Sequence, residues 1–303
     1  MQTIWPRLFH RSDAASFDRE RVALDDGDFI DLDWFEGVGN ENKLVVLIHG
    51  LSGSSSSHYI KRVGEYLSEQ DYGVVVYNLR GATGPNRLPR AYHSGDTMDL
   101  QFILDYLNAR MPSYRLFAVG FSLGGNILLK WLAENPQQNL LNKSVAVSVP
   151  FDLSTVAHQL NKGRSKIYKW ILLSGLRKFL RSKEEILKDK IDLEAAYAAK
   201  TFHEYDGIVT APLSGFKDVH DYYSQSSSGQ YLKNIRSETL IIHAKDDPFT
   251  TAEIIPKSHQ VSDRVTLAIS DYGGHVGFVS RGKFNKVEYW LPKRIVRFLG
   301  DGS

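Results

Sequence analysis

A serine between two glycines is the first feature of this sequence with an evident chemical use. The motif Gly120-Phe121-Ser122-Leu123-Gly124 follows the apolar run LFAV and leads directly into a helix-like segment, LGGNILLKWLAEN. A strand, a sharp turn and a helix in this order expose the serine hydroxyl, and glycines leave room for the strained turn. The motif therefore predicts that Ser122 is a nucleophile. The alternative is a tight strand–helix turn in which the serine only caps the helix.

A serine hydroxyl is a weak nucleophile until a base takes its proton, and the base needs a carboxylate to orient it. His275 lies in the glycine-rich loop SDYGGHVGF, directly after the last core-strand pattern, and is the predicted base. For the acid we favour Asp247, because the residues after it lead into a predicted helix that also carries His259. Asp246 stays open as an alternative. Asp271 is less favoured, because it shares the loop of the histidine.

Two backbone N–H groups are the predicted donors for a negatively charged oxygen. One belongs to Leu123, directly after the serine, and the other to Leu51, after the His49-Gly50 turn that ends the first long strand pattern. We expect His49 to be structural in that turn and His243 to be a core residue or a support for the site. The absence of cysteine excludes disulfides, thiolate nucleophiles and Cys-based zinc sites, and the predicted chemistry needs no metal and no organic cofactor.

Six apolar, mostly β-branched runs predict the strands that must position these residues. Continuous runs of this kind are typical of parallel strands covered on both faces, and helix-like segments lie between most of them. The runs are 44–48, 74–77, 116–119, 145–149, 240–243 and 265–269, and the clearest helix-like segments are 59–70, 96–110 and 123–135. The alternation predicts an α/β fold with a mostly parallel sheet flanked by helices. Residues 21–35, RVALDDGDFIDLDWF, predict an antiparallel hairpin at the sheet edge.

The alternation stops between Pro150 and Arg236, where roughly 85 residues intervene, far more than a strand–helix connection needs. We expect residues 151–236 to form a helical cap inserted into a core built from 1–150 and 237–303. Within the cap, residues 162–183 hold eight basic residues and no acidic one, interleaved with apolar residues. Our first interpretation of this segment is a solvated helix face backed by cap core. The alternative is peripheral contact with lipid head groups or with an anionic substrate.

The bulk composition excludes several classes of protein. A chain of 303 residues with 42% apolar and 24% charged residues is typical of a globular protein, neither disordered nor embedded in a membrane. The net charge of +2 gives no reason to expect nucleic acid as a partner, and the basic segment lacks clustered exposed aromatics for base stacking. The N-terminus lacks the apolar core of a signal peptide, and no later run is long enough to span a bilayer. We therefore expect a cytoplasmic protein, with its oligomeric state left open.

Four stretches of the sequence resemble a known family. They are NLRGATGPNRLPRAYHSGDTMDL (78–100), GFSLGGN (120–126), TFHEYDGIVTAPLSGF (201–216) and LIIHAKDDPF (240–249). Together they are similar to the YheT-like hydrolases, a family of predicted carboxylic ester hydrolases with the α/β-hydrolase fold, and the similarity covers nearly the whole chain. The resemblance implies a triad of Ser122, Asp247 and His275. Family members usually carry a further segment ahead of the residues that match QTIWPRLF (2–9), and their eukaryotic relatives act on lipid esters.

The leading hypothesis is a serine hydrolase that cleaves a small-molecule carboxylic ester, with an acyl chain or another apolar group held under the cap. Ser122 would attack the carbonyl, His275 would take its proton, Asp247 would hold the imidazole, and water would release the acyl group. The nearer alternative is an acyltransferase that passes the acyl group to an alcohol, since the difference lies in how well the cap excludes water. A non-catalytic ligand-binding protein is less favoured, because such a protein would not need all three polar side chains.

Overall fold

A computed structural model describes residues 17–36, 42–281 and 287–300 of the chain. Its strands are β1 (Phe17–Ala23), β2 (Phe29–Phe35), β3 (Lys43–Ile48), β4 (Gly73–Tyr77), β5 (Arg115–Phe121), β6 (Leu141–Val147), β7 (Glu238–Ala244), β8 (Val265–Ser270), β9 (Val279–Arg281) and β10 (Val287–Tyr289). Within the described ranges, β1 to β8 form one sheet in the order β1-β2-β4-β3-β5-β6-β7-β8. Strands β4, β3, β5, β6, β7 and β8 run parallel, whereas β9 and β10 pair separately. The predicted mostly parallel sheet is confirmed.

The three clearest predicted helices also form where the sequence pattern places them. The helices are α1 (His58–Ser68), α2 (Thr97–Arg110), α3 (Leu123–Glu134), α4 (Leu153–Gln159), α5 (Ser165–Ser182), α6 (Glu184–Leu187), α7 (Leu193–Ala198), α8 (Phe202–Tyr205), α9 (Ala211–Leu213), α10 (Val219–Ser226) and α11 (Trp290–Leu299). A π-helical turn spans Asp206–Thr210, and short 3-10 helices span Ser228–Asn234, Ala252–Ile254 and Ser258–Gln260. Helices α1 to α3 match the three segments predicted from the sequence to within two residues at each end.

The sheet is buried on both faces, as its continuous apolar runs predict. Leu44, Val46 and Ile48 of β3 belong to one apolar cluster, and Val45 and Leu47 belong to another. Successive side chains of a strand point to opposite faces of the sheet, so the two clusters lie on opposite sides. Helices α2 and α3 contribute to the first cluster, and α1 and α11 to the second. The layered α/β architecture follows from this two-sided burial.

The edge hairpin is confirmed, and one strand boundary differs from its prediction. Strands β1 and β2 pair antiparallel at the end of the sheet, and Gly27 in their turn has φ of +85°. The run 145–149 predicts a strand that the structure begins earlier, at Leu141, and ends at Val147. The strand stops there because Ser148 has φ of +53°, which turns the chain away from the sheet.

The α-helix predicted after Asp247 is wrong. The segment forms only the two short 3-10 helices, and the second of these carries His259. Pro256 has no N–H for a helical hydrogen bond, and it disfavours the helical conformation of the residue before it. Ile255 accordingly has φ of −68° and ψ of +121°, an extended conformation. The loop that carries Asp247 is therefore held by tertiary contacts rather than by a long helix.

Helices α4 to α10 lie between β6 and β7, in the region that the sequence predicts to be a cap. Their apolar side chains form a third cluster, and Leu51 and Phe249 from outside the region pack against it. We call residues 153–234 the inserted segment. The division into a core of 1–150 and 237–303 and a cap of 151–236 stays a prediction.

Two sequence-based expectations concern the N-terminus and membrane spans. The stretch QTIWPRLF (2–9), which entered the family resemblance, lies outside the described residues. Among the helices that the structure describes, none is long and apolar enough to cross a bilayer.

Candidate active site

Ser122 lies in a sharp turn between β5 and α3. Its backbone has φ of +51° and ψ of −118°, a conformation that residues with a side chain rarely adopt. The turn is held because the Ser122 N–H donates to the carbonyl of Val147 at 2.8 Å, and the Ser122 carbonyl accepts from the N–H of Asn126 at 3.0 Å. The serine side chain makes no capping hydrogen bond to α3. The alternative of a serine that only caps the helix is therefore wrong.

The glycines around the serine are required by close backbone contacts. A Cβ atom on Gly120 would lie 2.5 Å from the carbonyl oxygen of Gly124. On Gly124 it would lie 2.5 Å from the carbonyl oxygens of both Ile48 and His49. Side chains do not tolerate such distances, so only glycine fits at either position. The same contacts bring the end of β3 alongside the turn that carries Ser122.

His275 and Asp247 reach the serine from the ends of two other strands. The Ser122 Oγ lies 2.9 Å from the His275 Nε2, and the His275 Nδ1 lies 2.8 Å from the Asp247 Oδ2. Because β5, β7 and β8 run parallel, the residues that follow them meet at one edge of the sheet. His275 and Asp247 are buried, whereas Ser122 is partly exposed. The three side chains form one continuous chain of hydrogen bonds.

The electrostatics of this chain favour an ionised Asp247. Burial alone would raise the pKa of Asp247, but the adjacent His275 outweighs it and holds the pKa below its ordinary value. The N–H of Phe249 donates to the Asp247 Oδ1 at 2.9 Å and acts in the same direction. A carboxylate beside Nδ1 keeps the proton on that nitrogen, which leaves Nε2 to accept the serine proton.

The two alternative acids have other partners. Asp246 Oδ1 accepts hydrogen bonds from the backbone N–H groups of Gly273 at 2.8 Å and Gly274 at 2.7 Å. Asp271 forms an exposed ion pair with Lys245 at 2.7 Å. Asp246 therefore holds the loop of the histidine in place, and Asp247 is the acid that contacts the imidazole.

Two further residues support His275 and were not identified from the sequence. The Phe249 ring stacks on the imidazole, with ring centroids 4.0 Å apart and an interplanar angle of 14°. The Ser148 Oγ accepts a hydrogen bond from the N–H of Val276 at 3.1 Å, and Val276 has φ of +53°. Phe249 lies two residues after Asp247, so its place beside the predicted acid could have indicated it. No sequence signal indicates Ser148, because its contact joins two distant loops.

Two other buried histidines have structural surroundings. The His49 Nδ1 lies 2.8 Å from the carbonyl oxygen of Gly50, and the His49 Nε2 accepts from the N–H of Leu79 at 3.1 Å. His243 lies on β7, with its Nε2 4.0 Å from the Asp247 Oδ2. Burial lowers the pKa of each of these two histidines to about 4. Both are therefore neutral at neutral pH.

The two candidate oxyanion donors belong to turns that touch each other. Leu123 is the first residue of α3, so its N–H has no carbonyl partner within the helix. Leu51 follows Gly50, where a Cβ atom would lie 3.0 Å from the Ser122 Cβ. The turn before Leu51 thus lies against the serine, while Leu123 is its chain neighbour. Their function as donors is part of the proposal below.

The site brings together three protein groups that can act in one reaction. A hydroxyl, an imidazole and a carboxylate in hydrogen-bond contact can serve as a nucleophile, a base and an orienting acid. Within the described ranges, no group of three or more His, Asp or Glu side chains could hold a metal ion. We assign no cofactor-binding residues.

The sheet order, the serine turn and the hydrogen-bond chain define an α/β hydrolase. A family model described as alpha/beta hydrolase fold matches residues 43–281. The Escherichia coli protein YheT, named as a candidate esterase, is 36% identical over 99% of this chain and 89% of its own length. The chain belongs to the YheT-like family of α/β hydrolases. The family predicted from the four sequence stretches is confirmed.

Other relatives agree with the predicted enzyme class. Phospholipase ABHD3 of Bos taurus is 27% identical over 92% of this chain and 70% of the relative. Among solved structures, the Pyrococcus furiosus esterase PF2001 superposes with a TM-score of 0.62 at 18% identity, covering 93% of this chain and 90% of that one. At 18% identity, the similarity to the Pyrococcus furiosus structure shows the fold alone. The names of the relatives agree with a carboxylic ester hydrolase, the class predicted from the sequence.

Proposed function

We propose that the protein hydrolyses a carboxylic ester through an acyl-enzyme formed on Ser122. The observation that carries this proposal is the hydrogen-bond chain from the Ser122 Oγ to His275 at 2.9 Å and from His275 to Asp247 at 2.8 Å. The strained backbone of Ser122, with φ of +51°, supports it, because a strained turn from a strand to a helix is the setting that exposes the nucleophile of an α/β hydrolase. The esterase and phospholipase names of the relatives favour an ester as the substrate.

The first half of the reaction forms the acyl-enzyme. Ser122 Oγ attacks the ester carbonyl carbon while His275 Nε2 takes the serine proton. The carbonyl oxygen becomes negative, and the N–H groups of Leu51 and Leu123 donate to it. When the tetrahedral intermediate collapses, the bond to the alcohol breaks and His275 returns the proton to the leaving alkoxide. Asp247 stabilises the imidazolium through Nδ1 during both proton transfers.

The second half releases the acid. Water enters where the alcohol left, His275 Nε2 takes one of its protons, and the resulting hydroxide attacks the acyl carbon. Collapse of the second intermediate breaks the bond to Ser122 Oγ, which recovers its proton from the imidazolium. The products are a carboxylic acid and free enzyme, and no other reactant is needed.

The inserted segment is the proposed cap over an apolar acyl group. Its apolar cluster packs against Leu51, beside the serine, and against Phe249, which stacks on His275. A Cβ atom on Gly175 of α5 would lie 2.9 Å from the Ser52 Oγ, so α5 lies directly on the loop that carries Leu51. Apolar side chains on this side of the site favour an acyl chain over a charged group. We therefore assign residues 151–236 as a cap on a core of 1–150 and 237–303.

A fluorophosphonate probe tests the nucleophile directly. Wild type is expected to be labelled, and Ser122→Ala is expected to lose the label while keeping its fold by circular dichroism. Ser224→Ala, which removes an exposed serine hydroxyl of α10, is the matched control and should be labelled like wild type. Equal labelling of wild type and Ser122→Ala would show that the nucleophile lies elsewhere. A series of p-nitrophenyl esters of rising acyl length then measures the chain length that the cap accepts.

A further inference from the structure

Helix α5 carries a mixed apolar and basic face that points to solvent. Its two large apolar side chains there are Trp170, 66% exposed, and Ile167, 56% exposed. Lys166, Lys178 and Arg181 are exposed as well. Positions 167, 170, 174, 178 and 181 recur at the period of an α-helix, so they lie on one side of it. Two large exposed apolar side chains grouped with cations on one side of a helix indicate a contact surface.

The other side of α5 is accounted for by the fold. Ser165, Leu173 and Leu180 are buried, and the two leucines belong to the apolar cluster of the inserted segment. The packing of α5 therefore uses one side of the helix. This packing does not explain why Trp170 and Ile167 lie on the solvent-exposed side of α5. The solvated helix face favoured from the sequence accounts for the basic residues only.

The charges of the segment 162–183 divide into two groups. Lys169, Arg177 and Lys183 donate to oxygens of the protein itself. The other five basic residues are Lys162, Arg164, Lys166, Lys178 and Arg181, and none of them forms an ion pair with a carboxylate in the part of the chain that the structure describes. The segment itself has no acidic residue, so these five cations give it a positively charged surface.

We propose that the exposed face of α5, which carries Ile167, Trp170, Lys166, Lys178 and Arg181, docks on an anionic lipid bilayer. Lys162 and Arg164, which precede the helix, add to its positive charge. Trp170 and Ile167 would lie at the boundary between head groups and acyl chains, with the cations against the head-group phosphates. Apolar and basic side chains interleaved on one amphipathic helix are typical of binding at a bilayer surface. A soluble anion would account for the cations but not for the two apolar side chains.

The same helix borders the proposed catalytic residues. The Ser165 Oγ donates to the carbonyl of Pro248 at 2.6 Å, in the loop that carries Asp247. The Tyr168 ring lies 5.0 Å from the Phe249 ring, which stacks on His275. A bilayer bound to α5 would therefore hold ester-containing lipids next to the cap. This part of the inference rests on the proposed function and narrows its substrate class to lipid esters.

Cosedimentation of the full chain with vesicles tests the docking. We expect binding to vesicles that mix phosphatidylcholine with phosphatidylglycerol, weaker binding to phosphatidylcholine alone, and a loss of binding as salt is added. Trp170→Ala should weaken binding about tenfold. Lys166→Gln combined with Lys178→Gln should weaken it about 25-fold, because each cation near an anionic surface contributes roughly fivefold. Trp170 fluorescence should shift to the blue on binding, as measured by the difference between wild type and Trp170→Phe.

Matched variants control for loss of exposed apolar or charged groups in general. Met98→Ala removes an apolar side chain that is 76% exposed on α2, and Lys233→Gln with Lys257→Gln removes two exposed cations from other elements. These variants should bind vesicles like wild type. Failure of wild type to bind anionic vesicles, or equal binding by wild type and both α5 variants, would overturn the proposal. So would a dimer that Trp170→Ala dissociates, because the face would then cover a second copy.

Docking and catalysis are measured separately. Ser122→Ala should bind anionic vesicles like wild type, although it is expected to hydrolyse nothing. Trp170→Ala should hydrolyse water-soluble p-nitrophenyl acetate at the wild-type rate. Vesicle binding without ester hydrolysis by wild type would support docking and contradict the proposed function, and hydrolysis without binding would do the reverse.

Discussion

Two clusters of polar side chains in this protein differ in how their hydrogen bonds end. The site cluster runs from Asp247 through His275 to Ser122, where it ends on a partly exposed hydroxyl. The second, which we call the Arg80 cluster, consists of Asp26, Asp28, Arg80, Asn86, Asp99 and Lys183. Its donors and acceptors are directed at one another. Both clusters place ionisable groups inside the fold, yet only the first ends on a hydroxyl that solvent can reach.

The guanidinium of Arg80 is the centre of the second cluster. Its Nε and Nη2 donate to Asp99 at 2.8 and 2.7 Å, and its Nη1 donates to Asp26 at 2.8 Å and to Asp28 at 3.1 Å. Burial would lower the pKa of Arg80, but the hydrogen bonds and charge of Asp99 outweigh it and hold the pKa above its ordinary value. The cluster thereby ties the edge hairpin to α2 and to the loop after β4.

Lys183 connects this cluster to the inserted segment. It follows α5, and its Nζ donates to the Asn86 Oδ1 at 2.8 Å and to the carbonyl of Pro89 at 3.1 Å. Burial lowers the pKa of Lys183 to about 8.

The comparison of the two clusters shows that buried charged groups serve two purposes in this protein, stability and reactivity. In the Arg80 cluster, charged groups that pair with one another hold helices and strands together. In the site cluster, a chain of hydrogen bonds that ends on a partly exposed hydroxyl is suited to proton transfer. Substitutions in the two clusters should therefore separate stability from activity.

The largest expected effect lies in the site cluster, in Asp247→Asn. A neutral amide neither stabilises the imidazolium nor fixes its tautomer, so we expect kcat to fall about 10,000-fold, with the free energy of unfolding changed by no more than about 1 kcal/mol. Asp246→Asn is the matched control, because its amide oxygen still accepts from the N–H groups of Gly273 and Gly274. Its kcat should fall less than about tenfold. Ester hydrolysis and urea unfolding are measured for both variants. Equal losses of kcat in Asp247→Asn and Asp246→Asn would contradict the prediction that Asp247 is the acid.

The next effect lies in the Arg80 cluster and is a loss of stability. Arg80→Met leaves the buried Asp28 without its ion-pair partner and leaves Asp99 paired with Arg90 alone, so we expect the free energy of unfolding to fall by about 3–5 kcal/mol. The control is Arg87→Met, which removes an exposed arginine of the same loop and should cost less than about 1 kcal/mol. Urea unfolding measures both. If Arg80→Met unfolds at the same urea concentration as wild type but has a lower kcat, the prediction that the Arg80 cluster serves stability rather than activity is wrong.

The fold was predictable wherever local chemistry decides the structure. The run 44–48 is apolar at every position because β3 is buried on both faces, and that pattern is visible without knowledge of its neighbours. The helix expected after Asp247 failed for a local reason too, since Pro256 interrupts it. The Arg80 cluster, in contrast, joins Asp28, Arg80 and Lys183, which are far apart in the chain. Sequence patterns do not pair such residues, because their contacts depend on how whole elements pack.

The candidate site follows the same division. Ser122 and His275 were identifiable because each lies in the turn or loop after a strand pattern, and the structure brings the Ser122 Oγ to 2.9 Å from the His275 Nε2. Asp246 and Asp247 were harder to separate, since neighbouring residues of a turn point in different directions. One accepts from the backbone of the histidine loop, and the other contacts the imidazole. The stacking of Phe249 on His275 was missed, because it depends on the folded path of both loops.

The smallest expected effect concerns His49, whose two ring nitrogens both have partners inside the fold, like the groups of the Arg80 cluster. Burial lowers its pKa to about 4 from the ordinary 6.5. Between these values the unfolded chain binds more protons than the folded one, so the contribution of His49 to stability is present above pH 6.5 and is lost as pH falls towards 4. At pH 5 the loss should be about 2 kcal/mol relative to pH 8.

Urea unfolding of wild type and His49→Asn at pH 8 and pH 5 measures this contribution. The variant is expected to be less stable at pH 8, because asparagine fills the site less well, and to lose less stability than wild type on acidification. His158→Asn, which changes an exposed histidine of α4, should keep the wild-type slope. Equal slopes for wild type and His49→Asn would mean that His49 gains a proton in the folded protein. The imidazole of His49, beside the proposed oxyanion donor Leu51, would then differ from the groups of the Arg80 cluster, which satisfy one another inside the fold.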